Sequence, residues 1–110
     1  MGMFDSIHAE LECPETKKSE NQEIQIKWRE HKYRVLDVFH TGEVIENICA
    51  EYDNTWIRTD YVCRSCTPSV RVEDQRRHFC YIRIEDSRVI EVLSEEDFSK
   101  LGIEKFVVYE

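Results

Sequence analysis

Residues 76–84 read RRHFCYIRI, residues 88–93 read RVIEVL, and Glu85-Asp86-Ser87 separates the two segments. Both segments have the composition and alternation of β-strands. Asp and Ser are typical turn residues, so the sequence predicts a tight hairpin between them. This strand pair favours a fold built mainly of β-strands.

Alternation of apolar and polar residues also predicts strands over 6–13, 23–28, 33–39 and 54–63. The all-polar segment 14–22 is predicted to be a loop, and His40-Thr41-Gly42 is predicted to be a turn. The segment 43–52 has a helical stripe of apolar residues but is short, so its assignment as a helix stays ambiguous. Ser94-Glu95-Glu96-Asp97 is typical of a helix start, because the Ser hydroxyl can accept from a free backbone N–H. We expect this short helix to carry Phe98 and Leu101 on one face and to stop at Gly102, before a final strand over 103–109.

A chain of 110 residues is long enough to bury roughly two thirds of its unfolded surface and to fold without disulfide bonds or a bound metal. It is too short for two domains with a cleft between them. The sequence therefore predicts one domain, 1–110, of the mainly β (α+β) class: a small antiparallel β domain with one or two short helices.

The charge balance bears on the class of partner. The chain carries 15 Lys and Arg against 23 Asp and Glu, a net charge of −8, which opposes binding to nucleic-acid phosphates. The local exception is Arg71, Arg76 and Arg77, which Glu73 and Asp74 interrupt, and we interpret this stretch as a solvated loop. An acidic face suits a basic protein surface better.

The sequence has no secretion signal at its N-terminus and no run of about 18 apolar residues, so we expect a cytoplasmic protein without a membrane span. Five cysteines, an odd number, do not indicate a disulfide framework in that compartment. They indicate metal or thiol chemistry.

Cys63-Arg64-Ser65-Cys66 has the spacing of two kinds of site. A redox dithiol would be followed by a helix whose N-terminus lowers the pKa of the first thiol, but the residues after Cys66 alternate like a strand. In a metal knuckle the same spacing turns both thiolates toward one tetrahedral Zn²⁺. The strand context favours the knuckle.

The opening MGMFDSI, the Cys13-Pro14 pair, the later Cys-x-x-Cys and FCYIRIEDSRVIEVL (79–93) together resemble small zinc-ribbon-like proteins of phages and prokaryotes. The resemblance covers about half of the chain in patches. It implies that Cys13, Cys63 and Cys66 occupy zinc-ligand positions, and that the protein is a phage or mobile-element accessory or inhibitor protein. Thr16 stands where the first knuckle of a ribbon has its second cysteine.

The missing cysteine leaves two interpretations open. A fourth ligand could come from elsewhere in the chain, or the site has lost zinc and the β core holds the fold alone. The candidates for a fourth ligand are His8, His31, His40, His78, Cys49 and Cys80. Free cysteines outside such a site are ordinarily small buried hydrophobes.

We therefore predict a non-catalytic module that binds another protein and has a degenerate zinc-ribbon-like site, with Zn²⁺ as its possible cofactor. The first alternative is a thiol redox protein or Cys-dependent enzyme that uses Cys63 and Cys66. The second is a nucleic-acid-binding zinc ribbon that uses the loop from Arg71 to Arg77. A nucleophilic pair of His78 and Cys80, which share a strand face, is a weaker option.

Overall fold

The structure, a computed structural model, describes residues 5–28, 38–46, 48–66 and 75–109. The strands within these residues are β1 (Asp5–Glu12), β2 (Ser19–Ile26), β3 (Val38–Phe39), β4 (Thr55–Val62), β5 (Arg77–Glu85), β6 (Arg88–Ser94) and β7 (Val107–Val108). A 3-10 helix covers Ala50–Tyr52, and the α-helix α1 covers Glu95–Ser99. Neither helix is long and apolar enough to cross a bilayer.

The strands form two small sheets, with the orders β2-β1-β3 and β6-β5-β4-β7. The long neighbours pair antiparallel, whereas the two-residue strands β3 and β7 lie parallel to β1 and β4. Both sheets are therefore mixed. The expectation of a mainly β, α+β fold with short helical segments is confirmed.

One hydrophobic core joins the two sheets. The inward residues of β1 and β2, such as Ile7 and Ile24, belong to the same buried cluster as Ile57, Ile82 and Ile84 of the second sheet. These five side chains are completely buried. At about 25 cal/mol for each Å² of apolar surface removed from water, such burial is the main favourable term in folding.

The hairpin between β5 and β6 has the predicted place, with a two-residue turn at Asp86 and Ser87. Both residues have positive φ, 50° and 58°, as a type I′ turn requires. The Asp53 carboxylate accepts hydrogen bonds from the Ser87 backbone N–H at 2.7 Å and from its hydroxyl at 2.9 Å. A neighbouring loop thus supports a backbone conformation that is unfavourable for these residue types.

The α-helix begins as predicted, because the Ser94 hydroxyl accepts a hydrogen bond from the backbone N–H of Asp97. Its apolar face is smaller than predicted. Phe98 is buried against Tyr81, but Leu101 lies beyond the helix end and is 53% exposed. The final strand is also shorter than predicted, since only Val107–Val108 pairs with β4.

Two further segments differ from the sequence-based expectation. The predicted loop 14–22 ends at Lys18, because residues 19–22 pair with 9–12 of β1 despite their polar composition. Over the described part of 43–52 the helix is limited to the 3-10 turn, and Val44 forms an isolated bridge to Arg88. Of the predicted strand 33–39, residues 33–37 lie outside the described part of the chain.

Candidate metal centre

Three parts of the chain bring three thiols and one imidazole together at one end of the sheets. Cys13 directly follows β1, Cys63 directly follows β4, Cys66 lies in the turn after Cys63, and His78 is the second residue of β5. One ligand atom from each side chain lies within 4.8 Å of the other three. The group is therefore a Cys₃His cluster that could hold a metal ion.

The distances within the cluster are close to those of a tetrahedral site. The Nε2 atom of His78 lies 3.2 Å from the Cys66 sulfur and 3.9 Å from the Cys13 sulfur. A tetrahedral zinc with Zn–S of about 2.3 Å and Zn–N of about 2.0 Å holds its ligand atoms roughly 3.5–3.8 Å apart. The other separations are at most 4.8 Å, which exceeds these values by no more than about 1 Å.

The turn after β1 holds the first cysteine. The Cys13 carbonyl accepts a hydrogen bond from the Lys17 N–H at 2.8 Å, and the Cys13 N–H donates to the Lys18 carbonyl at 2.9 Å. Lys17 takes a positive φ of 62° to close this turn. Thr16, which occupies the place of the missing ribbon cysteine, directs its backbone N–H at the Cys13 sulfur, 3.5 Å away.

A backbone hydrogen bond connects Cys63 to the residue that precedes β5. The Cys63 N–H donates to the Arg76 carbonyl at 2.8 Å, directly beyond the last β4–β5 pair, Val62 and Arg77. This register places Tyr61 opposite His78, two residues before Cys63. The backbone pairing of β4 and β5 therefore brings His78 to the turn from Cys63 to Cys66, called here the Cys63 knuckle.

Burial divides the cluster into an inner and an outer half. Cys13 and Cys63 are completely buried, whereas Cys66 and the His78 side chain, 18% exposed, lie nearer to solvent. Outside them the Glu15 carboxylate lies 3.7 Å from His78 Nε2 and accepts a hydrogen bond from Arg76 at 3.3 Å. An ion could enter from this side without opening the core.

The surroundings of the cluster shift the pKa values of Cys13 and Cys66 in opposite directions. Burial raises the pKa of Cys13, but hydrogen bonds from Thr16 outweigh this effect and lower that pKa to about 6. Burial, together with a hydrogen bond to Glu15, raises the pKa of Cys66 well above its ordinary value. Thiolates this close repel one another, and a divalent cation bound between them would offset that repulsion.

The sulfurs of Cys13, Cys63 and Cys66, to which the resemblance gave zinc-ligand positions, lie within 4.8 Å of one another. Their binding of a metal stays a prediction. Of the five fourth-position candidates that lie among the described residues, His78 is the one that the structure places in the cluster.

The other described candidates lie elsewhere. His8 and His40 contact each other at a ring-centroid distance of 5.8 Å, and each faces a carboxylate, Glu23 and Glu43 respectively. Cys49 and Cys80 are outside the cluster, and His31 lies outside the described residues.

The structure also bears on the alternatives in which a cysteine acts as a nucleophile or a redox thiol. Burial raises the pKa of the Cys80 thiol, which is the opposite of what a nucleophile needs. The pKa of the Cys66 thiol is also raised, so this thiol is a poor nucleophile as well. The strand-like residues after Cys66 fall in the range 67–74, which lies outside the described part of the chain.

Arg76 and Arg77, the described arginines of the basic stretch, each pair with a carboxylate. Arg76 lies 3.3 Å from Glu15, and Arg77 lies 3.2 Å from Asp60. Their charges are therefore partly compensated within the protein. This pairing does not favour a phosphate-binding role for them.

The chain matches no protein-family model, no curated protein and no solved structure. The resemblance to zinc-ribbon-like proteins thus stays a prediction. What the centre can do follows from its own donor atoms. Three sulfurs and one imidazole nitrogen are soft and borderline ligands, which suit Zn²⁺ far better than Mg²⁺ or Ca²⁺.

Proposed function

We propose that this protein is a non-catalytic zinc-binding module in which Cys13, Cys63, Cys66 and His78 hold one Zn²⁺ ion. The convergence of these four ligand atoms within 4.8 Å carries the proposal. A Cys₃His set is one of the usual structural zinc sites. Under this proposal His78 completes a site from which the cysteine expected at Thr16 is absent.

The same ligand set supports a structural role for the metal. Catalytic zinc sites ordinarily have three protein ligands and keep the fourth position open for water or substrate. Here the chain supplies four ligands, and two of them, Cys13 and Cys63, are inaccessible to solvent. The ion would tie the end of β1 to the end of β4 and to β5, and so join the two sheets.

The function of such a module, as we propose it, is to bind a basic partner protein. A groove of about 330 Å³ lies beside the zinc ligands, and its lining includes His78, Phe79 and three carboxylates, those of Glu12, Glu95 and Glu96. Arg77 also lines it and pairs with Asp60 at 3.2 Å. Phe79 is 42% exposed there. An exposed aromatic ring among carboxylates suits the aliphatic stem and charged head of a lysine or arginine side chain.

Contacts within the protein support this choice of partner. The Arg58 guanidinium lies 3.8 Å from the centre of the Phe79 ring and pairs with Glu95 at 3.7 Å. Two residues of the groove lining, Phe79 and Glu95, thus already contact one cation of the protein itself. Under the same proposal, an accessory or inhibitory role in a phage or mobile element is exerted by contact between this groove and a basic protein.

Metal analysis of the purified protein, its variants and its controls tests the zinc site. We expect one zinc for each chain in the wild type, and a large loss in Cys66→Ser and His78→Ala. Cys49→Ser and His8→Ala are the matched controls, since both residues lie outside the cluster. Wild-type protein without zinc after refolding with added Zn²⁺, or equal loss in variants and controls, would contradict the proposal.

A further inference from the structure

Gln22 is a polar side chain in an apolar position. It lies on β2 with the buried residues Ile24 and Ile26, and it is completely inaccessible to solvent. Burial of an amide is unfavourable unless both its donor and its acceptor are satisfied. The contacts of this amide therefore indicate why it is there.

Both ends of the Gln22 amide contact the Cys63 knuckle. The Oε1 atom accepts a hydrogen bond from the backbone N–H of Arg64 at 3.0 Å. This bond fixes the orientation of the amide, because only the oxygen can accept from an N–H. The Nε2 atom then lies 3.9 Å from the Cys63 sulfur, with its N–H directed at that sulfur.

We propose that Gln22 is a positioning residue of the metal site, and that its amide orients the Cys63 sulfur and the following turn for metal binding. The inference rests on the proposed function, because it assumes that Cys63 is a ligand. Gln22 lies in the β2-β1-β3 sheet and Cys63 at the end of β4, so the amide also fixes the ligand from the opposite sheet.

The N–H···S contact has a definite chemical consequence. A thiolate that accepts a hydrogen bond transfers less charge to the metal, and the Thr16 N–H makes a similar contact to Cys13. The two buried sulfurs thus each have an N–H donor. In a centre with three thiolates around one divalent ion, such donors offset the excess negative charge.

Two substitutions at Gln22 remove the N–H donor in different ways. Gln22→Met keeps the length of the side chain and removes both hydrogen bonds. Gln22→Glu keeps an acceptor for the Arg64 N–H but replaces the donor with an oxygen that faces the Cys63 sulfur. Gln25→Glu is the matched control, because Gln25 lies on the same strand with its side chain exposed.

Metal affinity and the Co²⁺ spectrum are the readouts. We expect Zn²⁺ to bind both Gln22 variants about 10–100-fold more weakly, as is typical when an outer-sphere partner is removed. The sulfur-to-cobalt charge-transfer band should move to lower energy, since a sulfur without its N–H donor gives up an electron more readily. Gln25→Glu should leave the affinity and the band unchanged.

The outcomes distinguish this inference from the proposed function. If the wild type binds no Zn²⁺ or Co²⁺, the metal site itself is wrong. If the wild type binds and both Gln22 variants keep its affinity and its charge-transfer band, only the role of Gln22 is overturned.

Nuclear magnetic resonance on the wild type gives a test that does not depend on the folding of a variant. The side-chain amide protons of Gln22 should shift when Zn²⁺ is added, and those of Gln25 should not. Unmoved Gln22 resonances in the zinc-loaded protein would overturn the inference.

Discussion

The Nε2 atom of His78 lies 3.2 Å from the Sγ atom of Cys66, although the two residues are 12 positions apart in the sequence. His78 belongs to β5, and Cys66 to the turn that follows β4. Their contact therefore depends on the antiparallel pairing of β4 and β5. This pairing brings the imidazole to three sulfurs whose cysteines follow β1 in one sheet and β4 in the other.

We expect a chelator to lower the melting temperature without unfolding the protein at room temperature. A ligand at 100–1,000 times its Kd stabilises the folded state by about 3–4 kcal/mol, which corresponds to roughly 10–20 °C for a domain of this size. The buried isoleucines of both sheets form a core that does not depend on the metal. Thermal unfolding by circular dichroism, with and without chelator, measures the shift. Complete loss of structure at 25 °C, or no shift at all, would contradict this expectation.

Cys63→Ser and Cys80→Ser form a matched pair, because both thiols are completely buried and only Cys63 belongs to the cluster. With zinc present, Cys63→Ser should lower the free energy of unfolding much more than Cys80→Ser does. After chelation each should cost only about 1–2 kcal/mol, which is typical of a modest buried substitution. Urea unfolding in both conditions measures the difference. Equal costs with zinc present would show that Cys63 holds no metal.

Asp53→Ala should destabilise the β5–β6 hairpin. The carboxylate accepts two hydrogen bonds from Ser87, and loss of such bonds costs about 1–3 kcal/mol. Asp60→Ala is the control, since Asp60 pairs with Arg77 near the surface and such pairs contribute about 0–1 kcal/mol. Chemical denaturation compares the two variants, and an equal or smaller effect of Asp53→Ala would be the contrary result.

A short peptide that alternates Lys and Leu should bind the groove lined by His78 and Phe79, and a peptide that alternates Glu and Leu should not. Association should slow as salt is added, because surface charges are screened over about 8 Å at physiological ionic strength. Phe79→Ser should weaken binding several-fold. Leu101→Ser, at an exposed apolar residue outside the groove lining, should not. Surface plasmon resonance at several salt concentrations measures both effects, and salt-independent association would indicate an apolar interface instead.

Much of the fold could be predicted because strand residues alternate between core and solvent. Ile24 and Ile26 mark β2 in this way. The first half of β2 could not be predicted, since its inward residue Gln22 is polar and its place depends on contacts with the Cys63 knuckle. The position of Leu101 was missed for another reason: α1 ends at Ser99, before a second turn can form an apolar face.

The candidate site could be predicted in part. The spacing of Cys63 and Cys66 and the Cys13-Pro14 pair are visible in the sequence, and the structure brings the three sulfurs together. His78 could not be selected from among the histidines, because the connection from Cys63 to Arg76 is too long to fix the register of β4 and β5 from the sequence. The observed register of β4 and β5, which pairs Tyr61 with His78, is what places this histidine beside the cysteines.

X-ray absorption at the zinc edge of the purified wild-type protein tests the central claim most directly, because it counts the atoms bound to the metal. The Cys₃His site predicts three sulfur atoms at about 2.3 Å and one nitrogen at about 2.0–2.1 Å from one zinc. A shell of oxygen and nitrogen atoms alone, or a shell with fewer than three sulfurs, would contradict it.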